Sequence, residues 1–108
     1  MKRGDFVTVA MQGDFGKPRP ALVIQSDLFD EHSSVTVLLL SSKLVDAPAF
    51  RVTVLPNCEN GLQKPSQVMV DRAMTVRRDK VGAVFGRLCA TEMIEVDRRL
   101  TVFLGIAR

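Results

Sequence analysis

The sequence contains only two cysteines, Cys58 and Cys89, and it has no long apolar run. Two distant cysteines lack the spacing of a zinc site and are too few for a disulfide scaffold, so we expect buried, unreactive thiols. The longest apolar run, residues 35–40, contains a threonine and falls well short of the roughly 18 residues of a membrane span. The first residues are polar and show no secretory signal pattern. These absences predict a cytoplasmic protein without membrane contact.

The motifs of the common metal and cofactor enzymes are also absent. The sequence has no glycine-rich phosphate loop, no dinucleotide fingerprint and no cluster with metal-ligand spacing. Its only histidine, His32, lies in a polar segment beside Glu31 and Ser33, which is typical of a solvated loop histidine. We therefore expect neither a metal nor a cofactor.

The length and the charge balance set the remaining bounds. A chain of 108 residues has room for one domain, residues 1–108, with one modest hydrophobic core and not two. Lys and Arg total 15 against 12 Asp and Glu, which gives a net charge of +3. This balance favours polyanionic partners such as nucleic acid, although a solvated surface with a slight basic excess explains it equally well.

The hydrophobic pattern predicts a mainly β domain that ends in a helix. Short apolar or alternating runs, bounded by turn residues, predict strands at residues 6–11, 21–25, 35–40, 50–55, 67–70 and 81–88. The run at 21–25 is almost continuously apolar and should form a central strand covered on both faces. Residues 12–20 carry the glycines and prolines of a turn.

From Thr91 onward the spacing changes to that of an amphipathic helix. Thr91 is a suitable N-cap and Gly105 a suitable glycine just past the last turn. The predicted buried face comprises Met93, Val96, Leu100, Phe103 and Leu104. Together these elements predict a small, mostly antiparallel sheet or half-open barrel closed by a C-terminal helix.

Few side chains are candidates for chemistry. Arg19 lies between Pro18 and Pro20 at the entrance to the most apolar strand. The prolines stiffen the backbone and so fix the direction of the guanidinium. A guanidinium held in this way suits bidentate binding of a phosphate. A surface arginine after a turn is an equally simple interpretation. Ser41 ends the third predicted strand, and Asp71 with Arg72 follows the fifth; both positions are more often structural than catalytic.

Several segments resemble the MazF/PemK (Kid) family of toxin endoribonucleases. They are Arg3-Gly4-Asp5 before the first strand, GKPRPALVIQ at residues 16–25, the segments 61–62 and 66–71, and Gly86-Arg87-Leu88 leading into the final helix. The resemblance covers essentially the whole chain. It implies an SH3-like small antiparallel barrel or twisted sheet of the CcdB/Kid/MazF type.

The resemblance also implies a function and its residues. Family members are homodimers that cut single-stranded RNA, including mRNA, at short sequences without metal or cofactor, and a cognate antitoxin neutralises them. By this resemblance, Arg19, Ser41 and Asp71 are the expected catalytic residues: Asp71 as the base for the ribose 2′-hydroxyl, Arg19 and Ser41 as stabilisers of the phosphorane. The products would be 2′,3′-cyclic phosphate and 5′-hydroxyl ends. The expected RNA-binding residues are Lys17, Arg19, Arg72 and Arg77.

This sequence departs from the family pattern at two positions that bear on the chemistry. Ser41 stands where the family usually has a threonine, and the hydroxyl is kept. Met69 stands where some members carry a catalytic arginine.

A second interpretation uses the same fold without nuclease activity. CcdB, a toxin that poisons DNA gyrase, resembles this chain at Ile24-Gln25-Ser26-Asp27 and at the C-terminal Gly105-Ile106. The Arg-Pro motif at residues 19–20 has no role in a gyrase poison and favours the nuclease. A catalytically silent binding module is a third, weaker possibility.

Overall fold

A six-stranded antiparallel sheet and one helix make up the fold, as seen in a computed structural model that describes residues 1–11 and 17–107. The strand order is β4-β5-β3-β2-β1-β6. β4 and β6 are the two edges and do not pair with each other, so the sheet is twisted and open and is not a closed barrel. The elements are β1 (Asp5–Ala10), β2 (Pro18–Val23), β3 (Ser34–Ser41), β4 (Arg51–Val54), β5 (Ser66–Arg77), β6 (Val81–Arg87), α1 (Ala90–Phe103) and two short 3₁₀ helices (Asp27–Phe29 and Arg78–Lys80).

The predicted fold class is confirmed, with small differences at the strand ends. Of the turn predicted for residues 12–20, positions 12–16 lie outside the described residues. β2 is central, between β1 and β3, and its last three residues are buried, as its apolar sequence predicts.

β5 is the element that sequence analysis describes wrongly. Residues 67–70 were expected to form it, with the charged pair Asp71-Arg72 as its end, but the strand continues to Arg77. The pairing with β3 shifts register between Leu38 and Leu40, so β5 carries extra residues opposite Leu39. This irregularity accommodates Asp71 and Arg72 inside the strand, because a bulge bends a strand without ending it.

The expectation of a single core is also wrong. Two clusters of buried apolar side chains occupy the two faces of the sheet. The first, which includes Phe6, Leu22 and Leu40, packs against α1 through Val96 and Leu100. The second includes Val9, Val37 and Met69, with Met11, Met74, Val76 and Val81 at its margin. The buried side chains of this second cluster come from β1, β2, β3 and β5.

The helix ends as predicted but begins two residues earlier. Cys89, and not Thr91, is the N-cap, and its Sγ donates to the Glu92 carboxylate at 3.2 Å. Gly105 has φ +76, and the N–H groups of Gly105 and Ile106 donate to the carbonyls of Val102 and Thr101, which is a Schellman motif. Val96 and Leu100 are buried as expected.

Four large side chains after Leu100 form an exposed surface, which we call the apolar end of α1. Phe103 and Leu104, predicted to face the core, are about half exposed (51% and 55%). The described residues therefore cover only about half of each of these two side chains. The surface comprises Val102, Phe103, Leu104 and Ile106.

The Arg3-Gly4-Asp5 segment ties the sheet to α1. The Arg3 guanidinium forms a bidentate ion pair with Asp97 on α1 (2.6 and 3.1 Å), and the Asp5 carboxylate accepts from Arg87 on β6 (3.0 Å). Gly4 adopts φ +94, which a side chain would strain. The Arg3-Gly4-Asp5 motif therefore has a structural role.

The expectation of buried thiols is wrong. Cys58 is exposed in the turn after β4 and Cys89 is half-buried, and both are free. Within the described residues, no helix is long and apolar enough to cross a membrane.

Candidate functional site

A cleft lies where β2 and β3 separate. These strands pair only from Val23–Val37 to Ala21–Leu39. Beyond that point β3 pairs with β5 alone, through Leu40 and Ser41, while Pro18 and Pro20 in β2 have no N–H to donate. The separation opens a cleft of about 550 Å³, a size typical of ligand sites.

Twelve residues from five parts of the chain line this cleft. Arg19 and Pro20 come from β2, Ser41 and Ser42 from the end of β3, and the opposite wall from the loop before β5. The full lining is Thr8, Arg19, Pro20, Leu40, Ser41, Ser42, Gly61, Leu62, Gln63, Lys64, Ser66 and Phe85. Cationic, hydroxyl, amide and aromatic groups therefore face one space, which matches the groups of a nucleotide: phosphate, ribose and base.

Arg19 lies within β2 and is half-buried, whereas the sequence placed it at the entrance to the strand. It pairs with Val9 of β1, so a regular strand partner holds its backbone in addition to the two prolines. If the β2–β3 register continued past Ala21–Leu39, Arg19 would face Ser41. Because the strands separate there, these two side chains flank the cleft instead of closing it.

Ser41 is the last residue of β3, as predicted. Its Oγ accepts from the backbone N–H of Lys43 at 3.1 Å, which orders the turn that follows the strand. Among the described residues, the hydroxyl hydrogen has only a long 3.5 Å contact, to the Lys43 carbonyl oxygen. Ser41 thus has a fixed oxygen and a proton that can be donated towards a ligand oxygen in the cleft.

Asp71 is not among the residues that line the cleft. It lies in the irregular part of β5, on the side of β3 opposite to β2. Its Oδ1 is buried and has no hydrogen-bond partner in the part of the chain that the structure describes. Arg19 and Ser41 line the same cleft, whereas Asp71 is not among the described residues of its lining.

The predicted RNA-binding cations are distributed over different surfaces. Lys17 is exposed and adjoins β2 two residues before Arg19. Arg72 is exposed on β5. Arg77 is at the far end of β5, paired with Asp79 at 2.6 Å, and it lines a separate depression with Met11 and Met74. Of the four cations, only Arg19 lines the β2–β3 cleft.

Met69 and His32 are not part of the site. Met69 is 7% exposed and belongs to the second core cluster, so the side chain at this position faces the protein interior. His32 is exposed in the loop before β3, as predicted, and its backbone carbonyl accepts from Arg78. Among residues 1–11 and 17–107, no three His, Cys, Asp or Glu side chains cluster closely enough to hold a metal ion.

Sequence reasoning did not find Lys64, Gln63, Phe85 and Thr8. Lys64 adds a second cation to the cleft, and Phe85 adds an aromatic ring that is stacked on Phe6 with centroids 5.8 Å apart. The turn residues Asn60 and Gly61 marked this loop as a turn, but no local signal indicated that it would face Arg19. That juxtaposition depends on β6 passing beside the loop.

Comparison with known proteins gives a consistent result. The family model described as "PemK-like, MazF-like toxin of type II toxin-antitoxin system" matches residues 2–104. A probable endoribonuclease MazF from Mycolicibacterium smegmatis is 45% identical over 108 residues, which covers 99% of each chain.

Solved structures share the fold at lower identity. An endoribonuclease in complex with its cognate antitoxin from a mycobacterial species superposes with a TM-score of 0.83 at 19% identity, covering 100% of this chain and 98% of that one. The Mycobacterium tuberculosis toxin MazF-mt6 gives 0.81 at 21% identity over 96% and 99% of the two chains. MazF in a MazE–MazF structure from Deinococcus radiodurans gives 0.78 at 24% identity over 99% and 97%. The family model covers nearly the whole of this chain, and the solved structures share its fold. The chain therefore belongs to the PemK-like, MazF-like family of type II toxin–antitoxin toxins.

Proposed function

We propose that the chain is an endoribonuclease toxin that cleaves single-stranded RNA, including mRNA, in the β2–β3 cleft without a metal ion. The observation that carries this proposal is the pair Arg19 and Ser41, which flank a cleft large enough for a nucleotide and further lined by Lys64. A guanidinium, a hydroxyl and an ammonium suit the anionic oxygens of a phosphodiester. The similarity to a curated MazF endoribonuclease supports the same activity.

The chemistry is attack by the ribose 2′-oxygen on the adjacent phosphorus. The O2′–P bond forms and the P–O5′ bond breaks, which leaves a 2′,3′-cyclic phosphate and a 5′-hydroxyl. Negative charge grows on the non-bridging oxygens at the transition state, where prearranged donors contribute most. In this proposal Arg19 binds these oxygens with two N–H groups, Ser41 donates its hydroxyl hydrogen, and Lys64 adds positive charge.

The proton transfers are assigned to solvent in this open cleft. A water molecule takes the 2′-proton and another protonates the departing 5′-oxygen. Within residues 1–11 and 17–107, the side chains that line the cleft include no carboxylate. Asp71, which the resemblance predicts as the base, lies on β5, on the side of β3 away from β2. Its role stays a prediction for mutagenesis to decide.

We further propose that the toxin is a cytoplasmic homodimer and that a cognate protein antitoxin covers its cleft. The family is defined by toxin–antitoxin pairs, and the fold matches chains solved with their antitoxins. The apolar end of α1 supports the dimer, since an exposed cluster of this kind is typical of a protein–protein contact. We assign the toxin to the cytoplasm because its proposed substrate, mRNA, and its antitoxin are found there.

The gyrase interpretation is not favoured. The family to which the chain belongs is that of MazF and PemK, and both segments that suggested CcdB have structural roles. The Gln25 side chain bonds the backbones of Phe29, Ser34 and Thr36 and so holds the loop between β2 and β3. Gly105 and Ile106 form the Schellman motif that ends α1.

The test is cleavage of a long single-stranded RNA by purified protein in EDTA, with the ends mapped. We expect discrete cuts with 2′,3′-cyclic phosphate and 5′-hydroxyl ends. Arg19→Ala should lower the cleavage rate on the order of 10²–10³-fold, the usual effect of removing a donor to a transition-state oxyanion.

Arg98→Ala is the matched control, because Arg98 is an exposed α1 arginine (71%) paired with Glu95 and remote from the cleft lining. It removes the same charge and should cleave like the wild type. RNA that stays intact with the wild-type protein, or is cut only after Mg²⁺ is added, contradicts the proposal. Full activity of Arg19→Ala removes Arg19 from the mechanism.

A further inference from the structure

The wall of the cleft that faces Arg19 is a rigid loop held by a buried asparagine. Asn60 is 0% exposed, and its side chain bonds the backbones of Asn57, Leu62 and Leu55 at 2.9–3.1 Å. The backbone of Asn60 presses against Gly86 on β6 so closely that a Cβ at position 86 would overlap it. The loop is therefore fixed to β6 before any ligand binds.

Gly61 continues this contact along β6. It adopts φ +68, and a Cβ at this position would overlap the backbone carbonyl of Phe85. The chain thereby turns tightly beside Phe85, and Leu62, Gln63 and Lys64 follow directly into the cleft wall. The segment 61–64 and Phe85 form one continuous surface, which we call the loop wall.

The two walls of the cleft differ in chemistry. The β2–β3 wall carries Arg19, Ser41 and Ser42, whose donors suit phosphate oxygens. The loop wall carries an aromatic ring, an apolar side chain and a neutral amide, with Lys64 at its end. The Phe85 ring is fixed by stacking on Phe6, with an interplanar angle of 17°. An amide offers both a donor and an acceptor, the combination found on the edges of nucleobases.

We propose that the loop wall recognises a base of the RNA, with the base stacked beside Phe85 and its hydrogen-bonding edge bonded by the Gln63 amide. Gln63 is then a specificity-determining residue, while phosphate is bound on the opposite wall. Unpaired bases suit this arrangement because they are free to stack and to expose their edges. The inference rests on the proposed ribonuclease function and adds to it the residue that selects the cut site.

Gln63→Ala and Gln63→Glu test the inference, because Gln63 is exposed and neither change touches the core. The 5′-hydroxyl ends made from a long RNA of mixed sequence are sequenced for each variant, and relative cleavage rates are compared at each base near the cut. In Gln63→Ala the preference at one position should fall by about tenfold or more, the discrimination usual for an amide that bonds a base edge. In Gln63→Glu the favoured base at the same position should change, because a donor is replaced by an acceptor.

Thr91→Ala is the matched control: it removes an exposed neutral polar side chain on α1, outside the cleft lining. It should keep the wild-type pattern. If both Gln63 variants keep the wild-type base preference at every position, even at a lower rate, the inference is overturned. If the wild-type protein leaves the RNA intact, it is the proposed function that fails. The two failures are thus distinguishable.

Discussion

Replacing Asn60 by alanine tests how strongly one buried amide holds the loop wall. Its Oδ1 accepts from the backbone N–H groups of Asn57 at 3.1 Å and Leu62 at 3.0 Å, and its Nδ2 donates to the Leu55 carbonyl at 2.9 Å. Alanine leaves all three backbone groups without these partners, beside a side-chain position that is 0% exposed. We therefore expect a loss of stability and not a local rearrangement alone.

The size of the loss follows from the three bonds. At about 0.5–1.5 kcal/mol net for each, the free energy of unfolding should fall by roughly 2–4 kcal/mol. For a chain of 108 residues, each kcal/mol corresponds to roughly 4 °C or somewhat more in Tm, so the midpoint should drop by about 10 °C or more. That loss is a large share of the usual stability of about 5–15 kcal/mol.

Urea unfolding followed by far-ultraviolet circular dichroism measures this change, since the sequence has no tryptophan or tyrosine to report by fluorescence. Asn57→Ala is the control within the same turn. Asn57 also accepts two backbone bonds, from Glu59 at 2.9 Å and Asn60 at 2.8 Å, but it is exposed and water can replace it. Its loss should stay near 1 kcal/mol or less. Equal losses in the two variants would refute the argument from burial.

Two further predictions concern the base and the oligomeric state. Asp71→Asn should lower the RNA cleavage rate by less than about tenfold, because Asp71 lies outside the cleft lining; a loss of about 10²–10⁴-fold in a folded variant would instead establish Asp71 as the base. Light scattering of the purified protein at micromolar concentration should give the mass of a dimer, twice 11.9 kDa. This mass is expected if a second copy covers the apolar end of α1. A monomer over this concentration range would contradict the homodimer.

The elements of the fold were predictable because their signals are local. The strands follow from short runs of β-branched and aliphatic residues, and the final helix from the three- and four-residue spacing that ends at Gly105. Errors arose where a long-range contact decides the outcome. The charged pair Asp71-Arg72 looks like a strand end, but pairing with β3 carries β5 through it to Arg77.

The candidate site was predictable only in part for the same reason. Arg19 between two prolines and Ser41 at a strand end are visible in the sequence, and both line the cleft. Gln63, Lys64 and Phe85 carry no local mark of function. Their place opposite Arg19 depends on β6 pairing with β1 and on the contact between Asn60 and Gly86.

The sequence by itself determined the class of the domain, the helix with its glycine end and the arginine held by prolines, because each depends on the preferences of neighbouring residues. Only the tertiary structure decided that the sheet has a core on both faces and that β2 and β3 separate to open the cleft. It also decided that Asp71 lies on the side of β3 away from β2, while the loop wall lines the same cleft as Arg19. These features depend on strand register and on which segments meet in space, and a linear pattern does not encode them locally.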